Sequence, residues 1–150
     1  MTRWLNPDEQ QTWRSFLTAS RALMETLDRE LQRDAGMPHA YYEILVRLSE
    51  APQRRLRMSE LAESSGSSRS RLSHAAARLE AAGWIRREEC PTDRRGQIAV
   101  LTDAGFATLA AAAPGHVEGV RRHLFDALSP AQVDQLRRIS ETLVAHLTRS

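Results

Sequence analysis

Lysine is absent from this 150-residue chain, and all 21 basic residues are arginine. Nineteen acidic residues nearly balance them, leaving a formal charge of +2. Any preference for a polyanion must therefore come from where the arginines fall, not from a global field. Cysteine is almost absent too. Cys90 stands alone, which excludes an intramolecular disulfide and any multi-cysteine zinc site. No apolar run approaches the roughly 20 residues of a membrane span. Met1-Thr2-Arg3-Trp4 lacks the apolar stretch of a signal peptide. The expectation is a cytoplasmic protein without membrane contact. Catalytic sets are missing as well: no glycine loop to cradle phosphate, no serine and histidine in a recognisable context, no tight histidine spacing for a metal. Neither an enzyme, a cofactor nor a metal site is expected.

What is present is helix, interrupted once. Asn6 can cap a first long helix, with Pro7 at its first position and Asp8 and Glu9 at the positive end of its dipole. Trp13, Phe16, Leu17, Leu23, Leu27 and Leu31 recur at helical spacing until Gly36. A second helix is predicted over 39–50, then a loop over 51–55 and a short extended piece at Leu56 and Met58. Two short helices follow, joined by Ser64-Ser65-Gly66-Ser67, with Ser68 capping the second and Gly83 ending it. From Trp84 the period changes. Residues 84–88 and 98–101 read as two strands joined by a polar tip over 90–96. Thr102 starts another helix, which Pro114-Gly115 should kink or interrupt. Ser129-Pro130, with Gln132 three residues after the serine, opens the last.

Helix, tight turn, helix and two-stranded hairpin form the layout of a winged helix-turn-helix. The second of those helices should bury Leu72, Ala75, Ala76, Leu79 and Ala82. Its opposite face then holds Ser70, Ser73, His74 and Ala77, flanked by Arg69, Arg71 and Arg78. Seven arginines lie between Arg69 and Arg95, against Glu80, Glu88, Glu89 and Asp93. Taken alone, that face is also what any solvated amphipathic helix presents. Its position between a tight turn and a basic hairpin favours DNA. Ser68, Arg69, Ser70, Arg71, Ser73, His74 and Arg78 are the candidate contacts on the helix. Arg94 and Arg95 are the candidates at the hairpin tip, where the minor groove's negative potential would attract them. Asp93 would pair with a neighbouring arginine and direct it.

The chain resembles the MarR family of bacterial regulators in Ser59-Glu60-Leu61-Ala62, Gly66-Ser67-Ser68-Arg69-Ser70 and Arg78-Leu79-Glu80-Ala81-Ala82-Gly83. The resemblance continues through Asp93-Arg94-Arg95-Gly96 to Leu101-Thr102-Asp103-Ala104-Gly105. Ala99 and Ser67 stand where the family commonly has a leucine and an apolar residue. The resemblance implies Arg95 in the minor groove, steadied by Asp93. It also implies a dimer made by interlocking first and last helices, and a small aromatic ligand bound between those helices and the DNA-binding lobe.

The expected fold is mainly α with a small β-hairpin wing. Residues 37–114 would form the winged helix-turn-helix, and 1–36 with 115–150 the dimerisation helices. Unpaired, the apolar stripes of the terminal helices would leave a large exposed patch, which independently favours a homodimer. The expected function is a transcriptional regulator, a repressor that binds double-stranded DNA at a palindromic operator and is released by a ligand. The alternative is a winged-helix module that binds protein instead. Cys90, next to Arg86 and Arg87 but also Glu88 and Glu89, is a candidate for oxidant sensing.

Overall fold

The computed structural model describes residues 1–149, with the side chains of Arg94 and Arg95 outside the description. Its order is α1 (Pro7–Ala35), α2 (His39–Glu50), β1 (Arg55–Arg57), α3 (Met58–Ser65), α4 (Arg69–Ala81), β2 (Ile85–Cys90), β3 (Asp93–Leu101), α5 (Asp103–Val120) and α6 (Pro130–Leu147). Asp28–Gly115 form one compact unit, and the helical segments before and after it form another.

The helix ends carry the local chemistry their sequences require. Asn6 Oδ1 accepts from the Glu9 amide at 2.8 Å while Glu9 accepts from the Asn6 amide at 3.0 Å. Ser129 and Gln132 form the same reciprocal box at the start of α6. Three glycines that close helical segments, Gly36, Gly66 and Gly83, all have positive φ.

In the Asp28–Gly115 unit, Met37, Leu45, Leu48, Leu61, Ala76, Leu79 and Ala99 are fully buried, and Leu31 on α1 joins them. The Asp28 carboxylate accepts from the His39 amide at 2.8 Å, so the end of α1 is tied to the start of α2.

The sheet has three strands, in the order β1-β3-β2, not two. The Leu56 segment pairs antiparallel with β3, Leu56 opposite Ala99. The hairpin is also longer than the sequence predicts. Its strands reach Cys90 and resume at Asp93, leaving only Pro91 and Thr92 between them. The ladder slips near the tip, passing from Glu89 opposite Gln97 to Cys90 opposite Asp93, so the backbone of residues 94–96 falls in an irregular stretch.

Pro114 does not interrupt α5. One missing N–H removes one backbone bond, and the alanines at 110–113 are the strongest helix formers available to carry the helix through. The α-helical run instead passes into a π-turn at Arg121–Phe125, closed by the Asp126 amide on the Arg121 carbonyl at 2.8 Å.

A tight node joins the end of the winged region to α5. The Thr102 hydroxyl donates to the Gly83 carbonyl at 2.7 Å and accepts from the Gly105 amide at 3.0 Å. The Thr102 amide donates to the Trp84 carbonyl at 3.0 Å. A Cβ on Gly105 would lie 2.0 Å from that Trp84 oxygen. Backbone cannot yield as a flexible side chain can. Gly105→Ala is therefore expected to lose about 1–3 kcal/mol of stability in urea unfolding, the usual cost of overpacking. An unchanged midpoint would mean that the node is loose.

Candidate nucleic-acid interface

The turn between α3 and α4 is built almost wholly from backbone and hydroxyl bonds. Gly66 takes the left-handed conformation at φ 65°, and its amide reaches back to Ala62 and Glu63 carbonyls. Ser67 donates its amide to Ala62 at 3.2 Å. The Ser64 and Ser65 hydroxyls fold onto the Leu61 carbonyl, at 3.1 and 2.8 Å. Ser68 then caps α4, its hydroxyl accepting from the Arg71 amide at 3.1 Å. Such a cap contributes about 1 kcal/mol to helix stability.

Leu72, Ala76 and Leu79 form the buried stripe of α4. Ala75 is only half-buried, and Ala82 is exposed. The predicted inner face is thus too wide along one edge, where Ala75 still packs against the core and Ala82 lies open. Ala82 follows the last helical residue, where Gly83 turns the chain away. The outer face is as expected: Ser68, Arg69, Ser70, Arg71, Ser73, His74, Ala77 and Arg78 are all exposed.

Charge separates α4 from its surroundings. Between His39 and Asp93, every described arginine outside α4 has a carboxylate within 4.0 Å. Arg47 meets Glu43, Arg54 meets Asp103, Arg55 and Arg86 meet Glu88, Arg57 meets Glu60, and Arg87 meets Glu80. Among the described residues, Arg69, Arg71 and Arg78 have no such partner. The Ser70 and Ser73 hydroxyls likewise make no hydrogen bond among the described residues. These five side chains sit on one exposed face with their donors uncommitted.

The sheet beside α4 is braced from β1. Arg57 donates to the Thr92 hydroxyl at the hairpin tip at 2.8 Å, and Arg55 bonds Glu88 across the sheet. Glu88 also accepts from Arg86 at 3.0 Å. Asp93 is exposed at the tip. The Arg94 and Arg95 candidates have side chains outside the described residues. Cys90 is buried. Its thiol is held below its ordinary pKa chiefly by the Thr92 hydroxyl and amide, with Arg57 adding a smaller effect. Arg86 and Arg87, the neighbours expected to matter, are engaged by Glu88 and Glu80 instead.

Residues 35–96, from the end of α1 into the hairpin, match the sequence pattern of the MarR family. The transcriptional repressor MprA of Escherichia coli K12 is 31% identical over 125 residues, covering 83% of this chain and 70% of MprA. A Streptomyces coelicolor MarR family transcriptional regulator solved in complex with DNA is 54% identical. That alignment has a TM-score of 0.95 and covers 99% of this chain and 94% of that one. AbsC, another MarR family regulator from that organism, is 45% identical at a TM-score of 0.90, covering 97% and 98%. The chain belongs to the MarR family. It is a MarR family transcriptional regulator with a winged-helix fold, not an enzyme. No helix among the described residues is long and apolar enough to cross a membrane, and no group of three His, Cys, Asp or Glu among them could hold a metal ion.

The bracing residues of this MarR fold were not singled out by the sequence. Arg55, Arg57 and Glu88 act between segments far apart in the chain, and Glu80 and Arg87 join α4 to the strand that follows it. The extended piece predicted at Leu56 is β1, whereas Met58 begins α3; the pairing of β1 with β3 has no local signal. Hydrogen bonds from Arg86 lower the Glu88 carboxyl below the ordinary carboxylate value, with the charge and bond of Arg55 reinforcing them. A depressed folded-state pKa contributes stability above the unfolded-state value that is lost as pH falls through the folded one. Glu88→Gln should therefore lower stability in urea at neutral pH, and the gap to wild type should close on the acid side of the carboxylate range. A gap that persists unchanged into acid would show that the charge of Glu88 does nothing for the fold.

Proposed function

We propose that this regulator binds double-stranded DNA as a homodimer, with α4 in the major groove and the β2–β3 hairpin in the adjacent minor groove. One observation carries the reading: among the described residues the arginines of α4 have no carboxylate within 4.0 Å, while each described arginine around them between His39 and Asp93 does. A polyanion is the ligand such a face lacks. The outer face of α4 carries no large apolar anchor, which a protein-docking face would usually offer. The Streptomyces coelicolor relative that is 54% identical was itself crystallised with DNA. On this reading Ser70, Ser73 and His74 reach base edges, Ser68 and the α4 arginines meet bases and phosphates, and Arg94 and Arg95 serve the minor groove with Asp93 steadying them.

The dimer reading rests on α6. This helix of 18 residues has no buried residue. Ile139, Leu143, Val144 and Leu147 nevertheless make an apolar stripe on it, and Val144 is 59% and Leu147 75% exposed. Trp4, Leu5, Trp13 and Phe16 are also exposed near the start of the chain. A second copy of the same segments would cover both sets. The functional outcome is repression, as the name of the related MprA suggests. A small aromatic ligand would release the operator by shifting the population of dimers toward a geometry that cannot span two half-sites.

Selection of duplexes from a random pool tests this directly. Enriched sequences should carry inverted repeats with centres about 10 base pairs apart. Arg95→Ala should lose about 1–3 kcal/mol of affinity for them at matched salt. Failure to enrich any repeat would overturn the reading in favour of a protein-binding module.

A further inference from the structure

Glu80 is the single acidic residue on α4, and both local effects at its position oppose it. A carboxylate in the last turn of a helix faces the negative end of the dipole. A negative charge on a helix that meets phosphates weakens the contact. Something else must account for it. The Glu80 carboxylate accepts from two donors of one residue on the hairpin: the Arg87 backbone amide on Oε2 at 3.1 Å, and the Arg87 guanidinium on Oε1 at 3.0 Å. β2 lies at the edge of the sheet, so alternate amides of that strand point away from β3. Arg87's amide is one of these, and Glu80 takes it. Arg87 itself is partly buried, its side chain 22% exposed. A carboxylate with both oxygens committed to one residue cannot rotate or slide as a single-contact pair can.

We infer that Glu80 is a positioning residue for DNA recognition: by gripping the free edge of β2 at Arg87, it fixes the angle between α4 and the hairpin. This rests on the reading under Proposed function. Two rigidly related contacts can engage one duplex together only if their spacing matches the grooves. If α4 can swing against the hairpin, each contact still finds phosphate, but the base-reading side chains lose register. Glu80 thus trades general affinity for discrimination.

The test uses the full-length protein with the duplex selected from the random pool and a random-sequence duplex of equal length, at matched salt. Glu80→Ala should lower the ratio of selected to random affinity about tenfold, on the order of one lost base contact. Binding to the random duplex should hold or rise. Glu80→Gln keeps an oxygen for one Arg87 donor, so its ratio should fall between wild type and Glu80→Ala. A role limited to repulsion would strengthen both affinities equally in both variants, leaving the ratio constant. A role limited to folding would weaken both together, in step with a lower midpoint of thermal unfolding. Either result overturns the inference while duplex recognition by the wild type stands. Should the wild-type protein fail to prefer any duplex, this inference and the proposed function fall together.

Discussion

A helix of 13 residues can bury one stripe, and in α4 that stripe is taken by Leu72, Ala76 and Leu79. Burying leucines of this kind stabilises by roughly 1.5–3 kcal/mol each, far more than any surface contact on the same helix. The rotation of α4 about its own axis is therefore set from the inside. The Ser68 cap and the Gly83 turn fix where it starts and stops. Everything on its outer face is a consequence: which side chains see solvent, which arginines find carboxylates, and what kind of partner the face can accept.

The ion pairs around α4 contribute little to holding the fold. Exposed pairs of this type contribute about 0–1 kcal/mol each. Their effect is on where charge remains. Glu43, Glu60, Glu80, Glu88 and Asp103 each engage an arginine off the outer face of α4. The near-neutral composition of the chain thus coexists with a face of uncompensated positive charge. In a protein with 21 arginines and 19 acidic residues, such a face exists only because the carboxylates are placed elsewhere. Glu80 fits the same logic, since its charge is turned to the hairpin and not outward.

Features decided within one or two helical turns were legible in the sequence. The caps at Asn6, Ser68 and Ser129, the left-handed glycines and the inner stripe of α4 all depend on residues within four positions of each other. The outer face of α4 followed from the same periodicity. Features decided by pairing between elements were not. The sequence predicts an extended piece at Leu56 but not its place as a third strand, because β3 supplies its hydrogen bonds. The hairpin strands ran past the polar residues expected to form a loop, because cross-strand pairing overrode their composition. Pro114 does not interrupt α5, because the surrounding alanines outweigh the loss of one backbone bond. The bracing pairs Arg55–Glu88 and Glu80–Arg87 join residues 33 and seven apart, and no local pattern announces them.

The arginines of α4 have no carboxylate partner among the described residues, and the salt dependence of duplex binding tests most directly whether phosphate takes that place. Each phosphate contact removed lowers the slope of log affinity against log salt by about one. Arg71→Ala should lower the slope by about that amount, whereas Arg47→Ala, which removes an arginine already paired with Glu43, should leave it unchanged. Equal slopes for wild type and both variants would contradict the account.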